Sequence, residues 1–209
     1  MPECQDHPMQ VTTLDALRQL YAQPTERVRS KQIGFLDAHC RRFIGLSPFV
    51  VVSTCDDAGN ADASPRGGDP GFVQVDGQRR LLIPDAPGNN RLDSLENIVR
   101  TGKVGLLFLI PGFDETLRVN GSASLSIAPE DIARCASERR APKLAIRVTV
   151  QEAYLHCAKA FLRSKLWSES AKVDRSAMPT IGKMIADQTG LEIPYESRED
   201  MERRYAPDL

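Results

Sequence analysis

At 209 residues the chain is long enough for one domain of generous size, or one domain with additions. Its 41% hydrophobic and 26% charged residues are ordinary for a globular protein with a real core, which sets it apart from disordered and fibrous sequences. A net charge of −1 excludes the electrostatic footprint of a nucleic-acid or anionic-membrane binder, and short basic pairs such as Arg139-Arg140 and Arg203-Arg204 sit among acids.

The first residues, Met1 to Asp6, have neither the basic start nor the apolar run of a signal peptide, so none is expected. Helices are expected across the first 46 residues. Leu14, Leu17, Leu20 and Tyr21 repeat at helical spacing behind Thr12 and Thr13, either of which can cap. Ile33, Leu36, Cys40, Phe43 and Ile44 repeat likewise, ending at Gly45 and Ser47-Pro48. Both helices are expected to pack on the outside of the domain formed by the rest of the chain.

At Pro48 the period changes. Phe49 to Cys55 is a β-branched run, Asp56 to Asn60 a turn cluster, and Asn60 to Pro65 a second strand. Phe72 to Val75 and Arg79 to Ile83 flank the Asp76-Gly77 turn as another hairpin. Arg91 to Thr101 reads as a helix with Leu92, Leu95, Ile98 and Val99 as its buried stripe. Val104 to Ile110 is the longest apolar stretch, strand length and too short for a membrane span, and is expected to be buried on both faces. Thr116 to Ile127 and Leu144 to Leu155 alternate as long strands. Pro129, Glu130 and Asp131 open a short helix to about Glu138. Helices are expected from Cys157 to Trp167 and from about Thr180 to Gln188, then a charged, loosely packed tail.

These elements predict a mainly β protein with flanking helices, organised as a six-stranded antiparallel barrel, closed or split, since closure removes exposed edges. The division expected is residues 1–46 as N-terminal helices, 47–190 as the barrel and 191–209 as the tail. A Rossmann layout is disfavoured: strands and helices do not alternate regularly and no G-x-G-x-x-G occurs. Five cysteines form no C-x-x-C pair, so no disulfide framework is expected and a reducing cytoplasm is the natural setting. In His39-Cys40 and His156-Cys157 the adjacent side chains diverge, so no metal site is expected.

Two segments carry ligand chemistry. Ser64-Pro65-Arg66-Gly67-Gly68-Asp69 and Asp85-Ala86-Pro87-Gly88-Asn89-Asn90-Arg91 each follow a strand and set an arginine among glycines or small polar residues. Arginine offers a charged fork of donors, and glycines let backbone N–H groups approach an anion. The second segment enters a helix, whose N-terminus adds unpaired N–H groups. The pair suggests a phosphate-bearing ligand. Arg66 pairing with Asp62 or Asp69 is the plain alternative, as are turn and cap roles for Asn89 and Asn90.

With Ser47 to Thr54, Asp62 to Gly68, Leu82 to Asp85, Gly88 to Ser94, Thr116 to Gly121 and His156 to Trp167 in this order, the chain resembles the pyridoxamine 5′-phosphate oxidase-like family of FMN-binding split barrels. Within that family it is similar to a bacterial subgroup of FMN-dependent proteins of unassigned substrate. The resemblance implies a homodimer with FMN at the subunit interface and oxidoreductase chemistry on a small-molecule substrate, with no nucleic acid or membrane partner. It implies flavin contacts from Ser64, Pro65, Arg66 and Gly67, from Ile83, Pro84 and Asp85, and from Thr116, with Arg118 as a neighbour. Asn89, Asn90 and Arg91 match the phosphate site. Lys159, Arg163 and Trp167 are expected from the C-terminal helix near the interface. Arg118 with Asn120 lining a solvent face, Lys159 and Arg163 as a solvated helix face, and Trp167 as a core or interface anchor are the alternatives. No catalytic acid or base stands out. The tail from Tyr195 to Tyr205 lacks the Arg-x-His substrate-phosphate signature of true pyridoxamine phosphate oxidases, and no histidine follows His156, so vitamin B6 oxidation is not expected. A non-enzymatic flavin-binding protein, or an F420- or haem-binding relative, would use the same barrel.

Overall fold

The computed structural model describes residues 10–137 and 141–208, which divide into two compact units, Met1–Gln32 and Ile33–Leu209. The first unit holds helices α1 (Leu14–Leu20) and α2 (Glu26–Ser30). The Thr13 hydroxyl caps α1 by accepting the Ala16 N–H at 3.2 Å.

The second unit begins with helix α3 (Ala38–Leu46), started by the Asp37 carboxylate, which accepts the Cys40 N–H at 2.7 Å. This helix belongs to the barrel: Leu36, Cys40, Phe43 and Ile44 are buried in its core. Ile33, expected in that helix, instead forms a β-bridge with Ala153. The strands are β1 (Phe49–Cys55), β2 (Ala61–Gly67), β3 (Gln74–Asp76), β4 (Arg80–Pro84), β5 (Lys103–Leu109), β6 (Thr116–Ser126) and β7 (Ala145–His156). Seven strands form where a six-stranded barrel was expected, and the hairpin read across the Gly77 turn is present as the three-residue β3 paired with β4. All pairings are antiparallel, in the order β2-β1-β5-β6-β7-β4-β3, so β2 and β3 are the edges of a split barrel.

Alternation fills the interior. Val50, Val52, Leu106, Phe108, Leu117, Val119, Ile146 and Val148 point inward, each no more than 2% exposed. Helix α4 (Asp93–Thr101) adds Leu95 and Ile98 to this core. Strand β5 is buried on one face only. Val104, Leu106 and Phe108 face inward, while Gly105, Leu107 and Leu109 are half-exposed, contrary to the two-sided burial expected. The β6–β7 ladder is the longest and carries a bulge at Asn120/Gly121.

Helix α5 (Pro129–Cys135) is fixed through Asp131, 3% exposed, which accepts Arg147 Nε at 2.9 Å, Arg147 Nη2 and the Ser126 hydroxyl. The expected continuation to Glu138, with Arg139, Arg140 and Cys4, lies outside the described residues. Of the helix expected over 157–167 only α6 (Lys159–Ser164) forms, closed by Lys165 in the left-handed region at φ 53°. Helix α7 spans Ile181–Thr189. The final charged segment folds as α8 (Arg198–Tyr205), capped by Ser197 and tied by an Arg198–Glu202 pair one turn apart. Among the described residues no helix is long and apolar enough to cross a membrane, and no cluster of His, Cys, Asp or Glu is arranged to hold a metal ion.

Candidate functional site

The β1–β2 hairpin and α4 build one corner of the barrel. Asp62, Ser64 and Arg66 stand opposite Thr54, Val52 and Val50 and so share the inner parity of the sheet. The Asp62 carboxylate accepts the Ser94 hydroxyl at 2.5 Å, tying β2 to the first turn of α4. Asn97 Nδ2 donates to the Thr54 hydroxyl at 3.0 Å, and the Thr101 hydroxyl donates to the Cys55 carbonyl at 3.1 Å. Asp62 and Asn97 line a polar cleft of about 280 Å³ together with Arg91 and Asp93.

Arg66 is half-buried, its Nη1 donating to the Ser64 hydroxyl at 2.5 Å and the Pro65 carbonyl at 3.0 Å. Its charge reaches Asp85. Burial pushes the Asp85 carboxyl above the usual range, and Arg66 and Lys143 act against that shift. Arg66, at the end of edge strand β2, thus lies within electrostatic reach of Asp85, just past β4. Ile83 pairs with Ile146, Pro84 with Ala145, and the Asp85 N–H donates to the Leu144 carbonyl at 3.0 Å, so this segment lies along the start of β7.

The Asn89–Arg91 segment differs from the expected geometry. Helix α4 begins at Asp93, not Arg91, and Arg91 Nε pairs with Asp93 at 2.5 Å on an exposed surface. The helix dipole therefore sets no demand on Arg91 that only an outside anion can meet. The backbone supplies a different signal. Asn90 and Leu92 both lie at φ 60°, a region costly for a leucine, and the N-cap residue Leu92 makes no side-chain capping hydrogen bond. Asn89 Oδ1 accepts the Arg91 N–H at 3.0 Å, so this asparagine has the turn role. Gly68 is required by packing: a Cβ there would lie 2.8 Å from that of Phe72.

A second group sits at the same end of the sheet on its outer face. The register aligns Pro65, Val51, Leu107, Arg118 and Tyr154, and in the next outward row Gly67, Phe49, Leu109 and, across the β6–β7 ladder, Thr116 and His156. Three strand spacings, about 14 Å, separate Pro65 from Arg118. Arg118 Nη1 donates to the Tyr154 hydroxyl at 3.0 Å and lies over its ring, while Thr116 is 5% exposed. Asn120 Nδ2 donates to Glu152. Lys159 and Arg163 are exposed on α6. Trp167 stacks on Phe161 with centroids 5.5 Å apart, and its indole N–H donates to the Phe113 carbonyl at 2.7 Å, anchoring the end of α6 to the β5–β6 turn.

Within one chain, then, segment 64–67 ends β2, 83–85 lies along the start of β7 and 89–91 leads into α4, while Thr116 and Arg118 stand on β6, Lys159 and Arg163 on α6, and Trp167 is tied to the β5–β6 turn. Asp62, Thr54, Ser94, Asn97 and Lys143 carry no signal in the sequence that marks them for the site. The hydrogen-bond partners among Asp62, Thr54, Ser94 and Asn97 lie up to 43 residues apart. The one local hint was that Thr54 and Asp62 face each other across a hairpin.

The chain is a split antiparallel barrel with an arginine at the end of one edge strand and a strained turn before α4. Residues 36–157 match the family model for pyridoxamine 5′-phosphate oxidase, and the chain belongs to that family. No curated protein matches the chain. Among solved structures, it is similar to a tagged HupZ from Group A Streptococcus at 14% identity, covering 56% of this chain and 90% of that one, with a TM-score of 0.47. An FMN-binding protein from Syntrophomonas wolfei aligns at 13% identity over 56% of this chain and 83% of its own, with a TM-score of 0.43. An FAD binding protein from Mycobacterium smegmatis aligns at 16% over 59% and 97%, with a TM-score of 0.42.

Proposed function

We propose that the protein binds FMN and is an FMN-dependent oxidoreductase acting on a small organic molecule. The observations that support this reading are Arg66 at the end of the open edge strand, within electrostatic reach of Asp85, and the strained Asn90–Leu92 turn that brings Arg91 to the start of α4. The donors offered to a phosphomonoester stand beside carboxylates, since Asp56, Asp62, Asp93 and Glu96 line the cleft with Arg91 and Arg100. Arg66 and Arg91 supply charge, Asn90 a side-chain amide, and the uncapped start of α4 its N–H groups. The exposed Arg91–Asp93 pair is worth about 0–1 kcal/mol, so a phosphate dianion displaces Asp93 at little cost. When bound, the isoalloxazine ring supplies the electron chemistry. Ser64 to Gly67 and Ile83 to Asp85 would hold the ring and ribityl chain, and the buried core behind them would exclude water from that side.

Purified protein should carry FMN, and FMN should raise the melting temperature more than riboflavin does, because ligand linkage scales with affinity. Colourless protein that shows no shift with FMN would sink the reading. Arg91→Ala should weaken FMN binding by about 1–3 kcal/mol with the fold retained, measured by flavin fluorescence titration. Unchanged affinity would place the phosphate elsewhere. Arg66→Ala tests the opposite segment in the same way.

We further propose that the flavin site is completed in a homodimer. The outer face of β1 and β5 presents Phe49, Val51, Leu107 and Leu109 half-exposed, an apolar band rimmed by Arg118 and Tyr154. Two copies would cover this band on one another through a C2 axis and bring Lys159, Arg163 and Trp167 of one toward the flavin of the other. Sedimentation at micromolar concentration should give a dimer with FMN present. A monomer that retains flavin would overturn the shared site. The thiols of Cys40, Cys55 and Cys135 fit a cytoplasmic setting.

A further inference from the structure

We infer that the segment after Trp167, residues 168–208, is an arm that docks on the outer barrel face of a second copy of this chain, so that two copies exchange arms. The inference rests on the homodimer reading above and adds a second surface to it. The buried core runs from Leu36 to Ala153. From Cys157 to Asp208 no residue is buried. Ten large apolar side chains in that stretch, from Leu162 to Tyr205, are 37–82% exposed. Their uncovered surface is comparable with the ~800 Å² that each partner gives to a standard-size protein interface.

The arm is nonetheless built to fold. Thr180 caps α7 by accepting the Lys183 N–H at 3.3 Å, and Gly190 closes it in the left-handed region at φ 71°. Ser197 caps α8 by accepting the Asp200 N–H at 3.1 Å. Helices of nine and eight residues are too short to be stable alone in water and depend on packing of an apolar face. Such a face is present. Ile181 and Ile185 stand one turn apart on α7, 47% and 39% exposed. Ile181 also borders an apolar hollow of about 530 Å³ between the starts of α7 and α8, with Met178 and Met201 on its walls.

A second copy supplies the matching surface in equal number. The half-exposed band of Phe49, Val51, Leu107 and Leu109 is the apolar surface left uncovered on the outer face of β1 and β5. The root of the arm is pinned to the end of this band. Trp167 donates to the Phe113 carbonyl at 2.7 Å, and the Phe113 N–H donates to the Ile110 carbonyl at 3.0 Å, one residue past Leu109. The arm therefore starts beside the band, yet none of its residues is buried on its own barrel. In a C2 pair joined through the band, each arm leaves at the edge of the shared face and crosses to the other barrel. Each chain then gives and receives the same surface, and the contact closes on itself.

The test uses the full chain. Sedimentation equilibrium gives the dimer dissociation constant. Trypsin at one fixed concentration then reports cleavage after Lys172, Arg175, Lys183 and Arg198, with the protein above and below that constant. Cleavage in the arm should be at least tenfold slower in the dimer than in the monomer. Ile181→Asp combined with Ile185→Asp should raise the dimer dissociation constant at least tenfold, because the pair would desolvate both carboxylates. The circular dichroism spectrum of the double variant should be retained, since neither side chain is buried in one chain. An arm cleaved equally in monomer and dimer belongs to a different partner, and one protected equally at every concentration is folded on its own barrel. Either result overturns the inference and spares the dimer, as does an unchanged dissociation constant in the double variant. A wild type that stays monomeric at every concentration overturns both.

Discussion

Gly121→Ala should destabilise the protein by about 3 kcal/mol or more, the largest single effect expected from any methyl group added to this chain. A Cβ at this position would lie 2.1 Å from the Thr149 carbonyl oxygen and 3.0 Å from its carbon. Both are backbone atoms of the neighbouring strand, so relief requires β6 and β7 to part at the Asn120/Gly121 bulge. These strands make the longest ladder of the sheet, and β6 carries Thr116 and Arg118. The control is Gly59→Ala in the β1–β2 turn. There φ is +89° and the space around the missing Cβ is open, so the cost is the conformational one of about 1 kcal/mol. Urea midpoints for the two variants decide the matter. Equal midpoints would mean that the bulge accommodates a side chain.

Asp131→Ala should cost about 3 kcal/mol, because it leaves the Arg147 guanidinium, one third exposed, without its carboxylate. The Ser126 hydroxyl and then Arg147 hold the Asp131 carboxyl below the usual aspartate range. Its contribution is therefore complete above the ordinary unfolded value of about 4 and is lost as pH falls through the depressed folded value. The gap in urea midpoint between wild type and Asp131→Ala should be constant from about pH 7 down to about pH 5 and shrink toward about pH 3. A gap that persists undiminished in acid would show that the charge on Asp131 is not what matters.

Much of the fold was legible because its signals are local. Strand β1 has the bounds read from the sequence, set by a β-branched run between Pro48 and the Asp56-to-Asn60 turn. Thr13 caps α1 as its position suggested. The misplaced starts have local causes too. Helix α3 waits for Asp37, a capping residue hidden inside an apolar period that invited an earlier start at Ile33. Strand β2 runs on to Gly67 because it pairs with Phe49, although a Pro-Arg-Gly sequence offers no strand propensity of its own. The half-exposed face of β5 was invisible, since an unbroken apolar run reads alike whether its second face meets the core or another chain.

The site divides along the same line. The two arginine-bearing segments were readable as candidates for anion-binding chemistry, one ending edge strand β2 and the other leading into α4. The details around Arg91 were not readable. Nothing in Asn-Arg-Leu-Asp announces that a leucine will sit in the left-handed region, or that Asp93 will turn back onto the arginine. The Asp62–Ser94 tie joins residues 32 apart, and such pairings exist only once the helix has docked.

The place of Pro65 on edge strand β2 has a further consequence. An edge strand presents a row of unpaired N–H and C=O groups to any other chain that arrives extended, and the β1–β2 hairpin is otherwise regular over seven paired residues. Proline has no N–H, so the row of donors is interrupted at its middle, and the half-buried Arg66 next to it adds charge. The edge formed by β2 is thereby a poor template for a foreign strand. An open edge of the split barrel is guarded against sheet-to-sheet aggregation by the short Pro65-Arg66 sequence that ends it.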